Sequence, residues 1–209
     1  MGLGDSHGHR AEEVVRSVHP PFAIREVEAT EAKDRIAALA AGLIRDGEAI
    51  VVDGGTSGLA VARALVNRRL TVMPLSLHGA VALGASSSAR LLLPGGATRI
   101  GEGSMVGPIT EASLAALRFD TVVLTCCGLS SEYGVTAHDL QDAAVKRAAV
   151  KSSRRTILVA EGAKFTRTAL ASVCSAETID ILITDETAPS DVLDQFRDAD
   201  IDVRVAAGT

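Results

Sequence analysis

The sequence has no tryptophan, one tyrosine (Tyr133) and four phenylalanines among 209 residues. That shortage argues against a stacking platform for single-stranded nucleic acid, which needs several aromatic faces along a groove. A basic excess is also missing. Lys and Arg number 21 against 26 Asp and Glu, for a net charge of −5 and a pI near 5.5. A dedicated nucleic-acid binder carries the opposite balance. Cysteine is scarce, and Cys126, Cys127 and Cys174 are odd in number with two adjacent. They fit neither a disulfide framework nor a C-x-x-C metal knuckle, so reduced thiols in a cytoplasmic protein are expected. No apolar run approaches the roughly 20 residues of a membrane span. The first residues, with Asp5, His7, His9, Glu12 and Glu13, lack the apolar stretch of a signal peptide. No membrane association is expected. His7 and His9 read as solvated rather than as ligands, and neither a metal nor a cofactor is expected.

What is present is apolar and regularly spaced. Hydrophobic residues make up 47% and charged residues 22%, enough to build a sizeable core in one domain. Residues 1–24 read as a polar lead or linker ending at Pro20-Pro21, and residues 25–209 as the folded domain. Thr30 reads as the N-cap of a helix with Ile36, Leu39, Ala40, Leu43 and Ile44 on its apolar face, ended by Asp46-Gly47. Short Val/Ile/Leu runs then predict strands at 49–53, 70–75, 89–93, 120–126, 155–160, 179–184 and 201–205. Helical patterns fall near 57–66, 77–85, 108–117, 139–152, 167–174 and 189–198. This alternation implies an α/β protein of Rossmann-like build: a largely parallel sheet with helices on both faces and ligands beyond the carboxyl ends of its strands.

Four glycine-marked loops follow those strands. Asp53-Gly54-Gly55-Thr56-Ser57-Gly58 lacks the Lys of a P-loop and the G-x-G-x-x-G spacing of a dinucleotide site. It reads either as an anion cradle at a helix N-terminus, or as a tight turn whose Thr56 caps the helix. Leu93-Pro94-Gly95-Gly96-Ala97, followed by Gly101, Gly103 and Gly107, suggests a mobile segment, backbone packed on ligand, or a connection needing positive φ. Cys126-Cys127-Gly128 leads toward Tyr133-Gly134 and a helix bearing Asp142, Lys146 and Arg147, and the cysteines read as a buried, unreactive pair. In Glu161-Gly162-Ala163-Lys164, Lys164 either neutralises a phosphate or pairs with Glu161 at the surface.

Taken together and in order, these loops resemble the C-terminal effector-sensing domain of the DeoR family of bacterial sugar-metabolism regulators. The similarity runs from about Pro21 to the C-terminus through PPFAIREVEATEAKDRIAALAAGLIRDGEAIVVDGGTSGLAVARAL, LLLPGGATRIGEGSMVGPIT, CCGLSSEYGVTAHDLQDAAVKRA and AEGAKFTRTALASVCSAETIDILITD. The resemblance implies a fold related to ribose-phosphate isomerases and CoA transferases. It places Asp53, Gly54, Gly55, Thr56 and Ser57 on an effector loop, Ser76 at the end of a second block, and Gly95, Gly96, Gly128, Gly134, Lys146 and Lys164 on the remaining pocket motifs. Ser57 stands for the usual second Thr, Pro74 and Leu75 for Thr-Asn, Cys127 and Glu161 for Asp.

The family also places a helix-turn-helix domain before the sensor, and residues 1–24 resemble the hinge after it, so a fragment cut at that hinge is expected, with a free-standing sensor domain as the alternative. The implied function is a repressor's sensor that binds a small phosphorylated metabolite and self-associates. Operator DNA would be met only through a helix-turn-helix domain outside this chain. A sugar-phosphate isomerase-like enzyme is the alternative, and an oligomerisation domain with a vestigial pocket the third reading.

Overall fold

In the computed structural model, residues 20–85 and 88–208 are described; His7 and His9 lie outside them. The chain opens with a short helix, α1 (Phe22–Val27), and a longer one, α2 (Thr30–Gly42). The N-cap of α2 is Ala29, in the left-handed region at φ 49°, and not Thr30. The Thr30 hydroxyl instead donates back to the carbonyls of Glu26 and Val27, both at 3.3 Å. The buried face of α2 is Ile36, Ala37, Ala40 and Ala41, continued by Ile44, while Leu39 is exposed. The helix stops at Gly42, one turn earlier than Asp46-Gly47 suggests.

From there strands and helices alternate: β1 (Ala49–Val52), α3 (Gly55–Ala64), β2 (Thr71–Pro74), α4 (Leu77–Gly84) and β3 (Arg90–Leu91). A hairpin of β4 (Ala97–Thr98) and β5 (Met105–Val106) precedes α5 (Pro108–Ala115) and β6 (Phe119–Thr125). Next come β7 (Gly128–Ser130), β8 (Gly134–Ala137), α6 (Leu140–Ser152), β9 (Ser153–Val159) and β10 (Ala171–Cys174). The chain closes with β11 (Ile181–Asp185), α7 (Ser190–Asp198) and β12 (Asp202–Ala206). No helix among the described residues is long and apolar enough to cross a membrane.

All seven expected strands form, and they pair in one parallel sheet of order β12-β11-β9-β6-β1-β2-β3. Its central strands are apolar on both faces because both faces are covered. On β1, Val51 packs in one core with Leu114, Ala143, Val145 and Phe196. Its neighbours Ile50 and Val52 pack in the other, with Ile36, Ala40 and Val61. All three β1 side chains are fully buried, and each contributes about 1.5–3 kcal/mol of transfer free energy. The helix expected at 167–174 is a correction: residues 171–174 are β10, paired antiparallel to β8 in a separate sheet of order β10-β8-β7. Ala171 and Val173 face inward and Ser172 outward, a period of two over a segment too short to separate from a helical pattern. In the same chain order, β1 leads outward to β2 and β3, and β6 then returns to the other side of β1. The switch point of the sheet therefore lies between β1 and β6.

Candidate functional site

The carboxyl ends of β1 and β6 meet at Asp53. Its N–H donates to the Val123 carbonyl at 3.0 Å. Its carboxylate accepts the Gly54 N–H at 2.7 Å, the Thr125 N–H at 2.9 Å and the Thr125 hydroxyl at 2.8 Å. Lys146, arriving from α6, also donates to it. Lys146 lies 3.6 Å from Asp142 as well, one turn earlier on α6, and 3.2 Å from the Thr125 hydroxyl. Asp139 places that helix by accepting the N–H groups of Gln141 and Asp142, a cap contributing about 1 kcal/mol. Both Asp53 and Lys146 are buried. Burial opposes the charge on Lys146, but the carboxylates of Asp142 and Asp53 more than offset it, and its pKa is raised. Burial raises the Asp142 carboxyl above its ordinary value against the pull of Lys146. Lys146 is therefore a held cation, and Asp53 a densely bonded acceptor tying two strands to a helix.

Directly above this node α3 begins. A Cβ on Gly58 would sit 2.1 Å from the Asp53 carbonyl oxygen, so only glycine lets the helix press onto the strand end. Gly55 takes φ +76°. No side chain caps α3, and Thr56 does not serve as its cap. The Thr56 hydroxyl, on a residue only 7% exposed, makes no hydrogen bond among the described residues. By helix geometry the first-turn N–H groups have no intrahelical acceptor, and they favour an anion there.

A cleft opens at this point, lined by Gly54, Gly55, Thr125, Cys126, Cys127, Asp142 and Lys146, and by Arg25, Arg99, Glu102 and Ser104 from two other elements. Its free space of about 40 Å³ suits a group the size of a few waters, such as a phosphate, with the remainder of a ligand toward the mouth. Ser104 is buried and its hydroxyl makes no hydrogen bond among the described residues. Arg25 pairs with Glu102, and Arg99 lies 3.4 Å from Asp139. His138 has its pKa lowered by burial and then by Lys164, Arg167, Arg25 and Arg99, so the surroundings of that ring are cationic. Burial pushes the Cys126 thiol up to about 12, which suits the expected inert pair, while Cys127 is half-buried.

Of the residues singled out in the sequence, Gly54, Gly55 and Lys146 line the cleft and Asp53 supports it from below. Thr56 follows in the same turn. Ser57 turns elsewhere, donating to Glu161 at 3.0 Å. Glu161 is buried and lies 3.7 Å from Lys33 and 4.0 Å from Lys164, so the Lys164 pair is not a surface one. Ser76 caps α4 by accepting the Gly79 N–H at 3.1 Å. Gly95 and Gly96 pack on α5, where a Cβ on Gly96 would meet the Thr110 hydroxyl at 2.2 Å. A Cβ on Gly128 would lie 2.2 Å from the Arg167 carbonyl oxygen. These four residues serve packing or capping and are not among those lining the cleft. Sequence reasoning passed over Arg25, Arg99, Glu102, Ser104 and Thr125. The only signal for three of them was the glycine-marked stretch around Gly101 and Gly103.

The family described as the DeoR C terminal sensor domain matches residues 28–186. The chain belongs to that family. Relatives of the DeoR sensor include the glycerol-3-phosphate regulon repressor of Escherichia coli (strain K12), 31% identical over 90% of this chain and 75% of its own length. The HTH-type transcriptional repressor CsqR of the same organism is 29% identical over 97% of this chain and 78% of its own. Among solved structures, eIF2B beta from Chaetomium thermophilum aligns with TM-score 0.51 and 15% identity over 77% of this chain and 49% of its own. Ribose 5-phosphate isomerase A from Methanocaldococcus jannaschii aligns with TM-score 0.48 and 12% identity over 65% and 54%. The chain thus spans about half the length of these solved proteins, and the likeness to eIF2B beta is one of fold.

Proposed function

We propose that this DeoR sensor domain binds a small phosphorylated metabolite in the cleft between β1 and β6, in a cytoplasmic, self-associating regulator. Binding would bias the DNA affinity of a helix-turn-helix domain of the kind the relatives carry. The observation that carries the reading is the convergence at one cleft of the uncapped α3 N-terminus, the buried Ser104 hydroxyl and the guanidinium of Arg25. Gly54 and Gly55 leave room for backbone approach, and Thr56 offers a second hydroxyl without a partner among the described residues. The phosphate would meet N–H and hydroxyl donors, with Arg25 and Arg99 nearer the mouth. Asp53 and Lys146 would shape that seat without touching the reacting part of any molecule. A sensor is favoured over an isomerase because the two aspartates at the base of the cleft are committed, Asp53 and Asp142 both to Lys146. A general base needs a carboxylate within reach of a substrate carbon and free to accept its proton.

A thermal-shift screen of sugar phosphates and polyol phosphates, glycerol 3-phosphate among them, tests this reading. A ligand that binds the folded state raises the melting temperature with concentration, by about 2.7 kcal/mol of added stability at one hundred times its Kd. Thr56→Val should weaken that response without lowering the melting temperature of the free protein. No shift with any phosphorylated compound would overturn the sensor reading.

A further inference from the structure

Arg25 sits on α1, remote in sequence from every loop expected to bind a ligand, yet it lines the cleft beside Gly54 and Gly55. One amino group of its guanidinium donates to Glu102, and both side chains are largely buried, at 12% and 14% exposure. Its Nε donates to the Pro20 carbonyl at 2.9 Å, and its second amino group has no partner among the described residues. Glu102 lies in the turn of the β4–β5 hairpin with Arg99 and Ser104. That hairpin is seated by the Leu77 N–H on the Gly103 carbonyl at 2.9 Å and the Met105 N–H on the Leu75 carbonyl at 2.9 Å. The cleft therefore already contains an anion supplied by the protein, and it is held by one of the two arginines that line the cleft. A buried carboxylate–guanidinium pair adds little net stability, because both charges are desolvated. A phosphate presents more acceptor oxygens and accepts from arginine in a two-pronged fashion.

We propose that Glu102 is a built-in rival for Arg25, and that a ligand phosphate displaces it, adding Arg25 to the binding residues and unfastening α1 from the hairpin. The inference rests on the reading of this cleft as the anion site. Exchange at the guanidinium changes what holds α1, because the Arg25 Nε grips Pro20 and the Arg25 carbonyl accepts from Lys33. Occupancy of the cleft is thereby felt by the chain that precedes α1. The device also filters ligands. A neutral sugar gains nothing by displacing a carboxylate from arginine, whereas a phosphate or other strong anion does.

Calorimetric titration with inorganic phosphate at constant ionic strength tests the exchange in the wild-type chain, Glu102→Gln and Arg25→Gln. Removing the rival should tighten phosphate binding by about fivefold or more, and removing the arginine should weaken it by about tenfold or more. Glu102→Asp, with a shorter arm and the charge kept, should tighten it in the same direction by less. Hydrogen exchange over residues 20–28 should change on adding phosphate to wild type and stay unchanged in Arg25→Gln. Wild-type binding that Glu102→Gln leaves equal or weaker would overturn the exchange and leave the anion site standing. Failure of wild type and Glu102→Gln alike to bind phosphate, together with an empty sugar-phosphate screen, would remove both.

Discussion

Lys146 on α6 and Lys33 on α2 are both buried lysines, and they are held in opposite ways. Lys146 meets two carboxylates, Asp53 and Asp142, and its pKa is raised. Lys33 donates to two carbonyls, of Arg25 and of Glu28 at 2.6 Å, and its one ion pair among the described residues is with Glu161 at 3.7 Å. Burial lowers its pKa, and the pull of Glu161 does not make up the difference. The Asp53 node is thus densely bonded, its carboxylate taking four hydrogen bonds from Gly54, Thr125 and Lys146. The Glu161 node is loosely paired, with one good hydrogen bond from Ser57 and two distant cations. A closed network fixes geometry, while a partly paired one can adjust its partners at small cost. The first suits the floor of a binding site, and the second a junction whose partners can be exchanged.

The largest expected effect is at the densely bonded node. Lys146→Met leaves Asp53 buried without a counter-charge and should destabilise the domain by about 3–5 kcal/mol in urea unfolding. A loss below about 1 kcal/mol would show that the two nodes do not differ in kind. At the loose node, Glu161→Gln keeps an acceptor for Ser57 and leaves Lys33 its two carbonyls, so the same measurement should give about 1 kcal/mol or less. A cost matching that of Lys146→Met would break the comparison from the other side.

The smallest effect is in the pH dependence. With its folded pKa below the ordinary 10.5, Lys33 binds more proton in the unfolded chain across the interval between the two values. Stability contributed at that site therefore rises with pH through that interval. Lys146, raised above 10.5, contributes fully below 10.5 and loses its contribution only as pH climbs through its folded value. Urea midpoints measured up to pH 10.5 should show a rising component that Lys33→Met removes. An identical profile in that variant would mean that burial does not govern Lys33.

The apolar runs behind the central strands were legible because those strands are buried on both faces and announce themselves without knowledge of their neighbours, while the edge strands β3 and β12 are more exposed. The segment 167–174 was not legible: four residues of Ala, Ser, Val and Cys carry too little pattern, and pairing with β8 decides their conformation. Likewise Gly95, Gly96 and Gly128 look like ligand loops in sequence, because glycine marks close approach without saying to what. The structure answers with the Thr110 hydroxyl and the Arg167 carbonyl.

By itself, then, the sequence determined the alternation of strands and helices, the glycine-bearing turn from β1 into α3, and the ordered blocks of a DeoR sensor. These are properties of short windows, set by burial periodicity and local backbone freedom. Only the tertiary structure decided which charges meet. Asp53 and Lys146 are 93 positions apart, and Arg25 and Glu102 are 77 apart. No local pattern pairs them, because a buried charge is defined by its partner across the fold and by the water that folding removes.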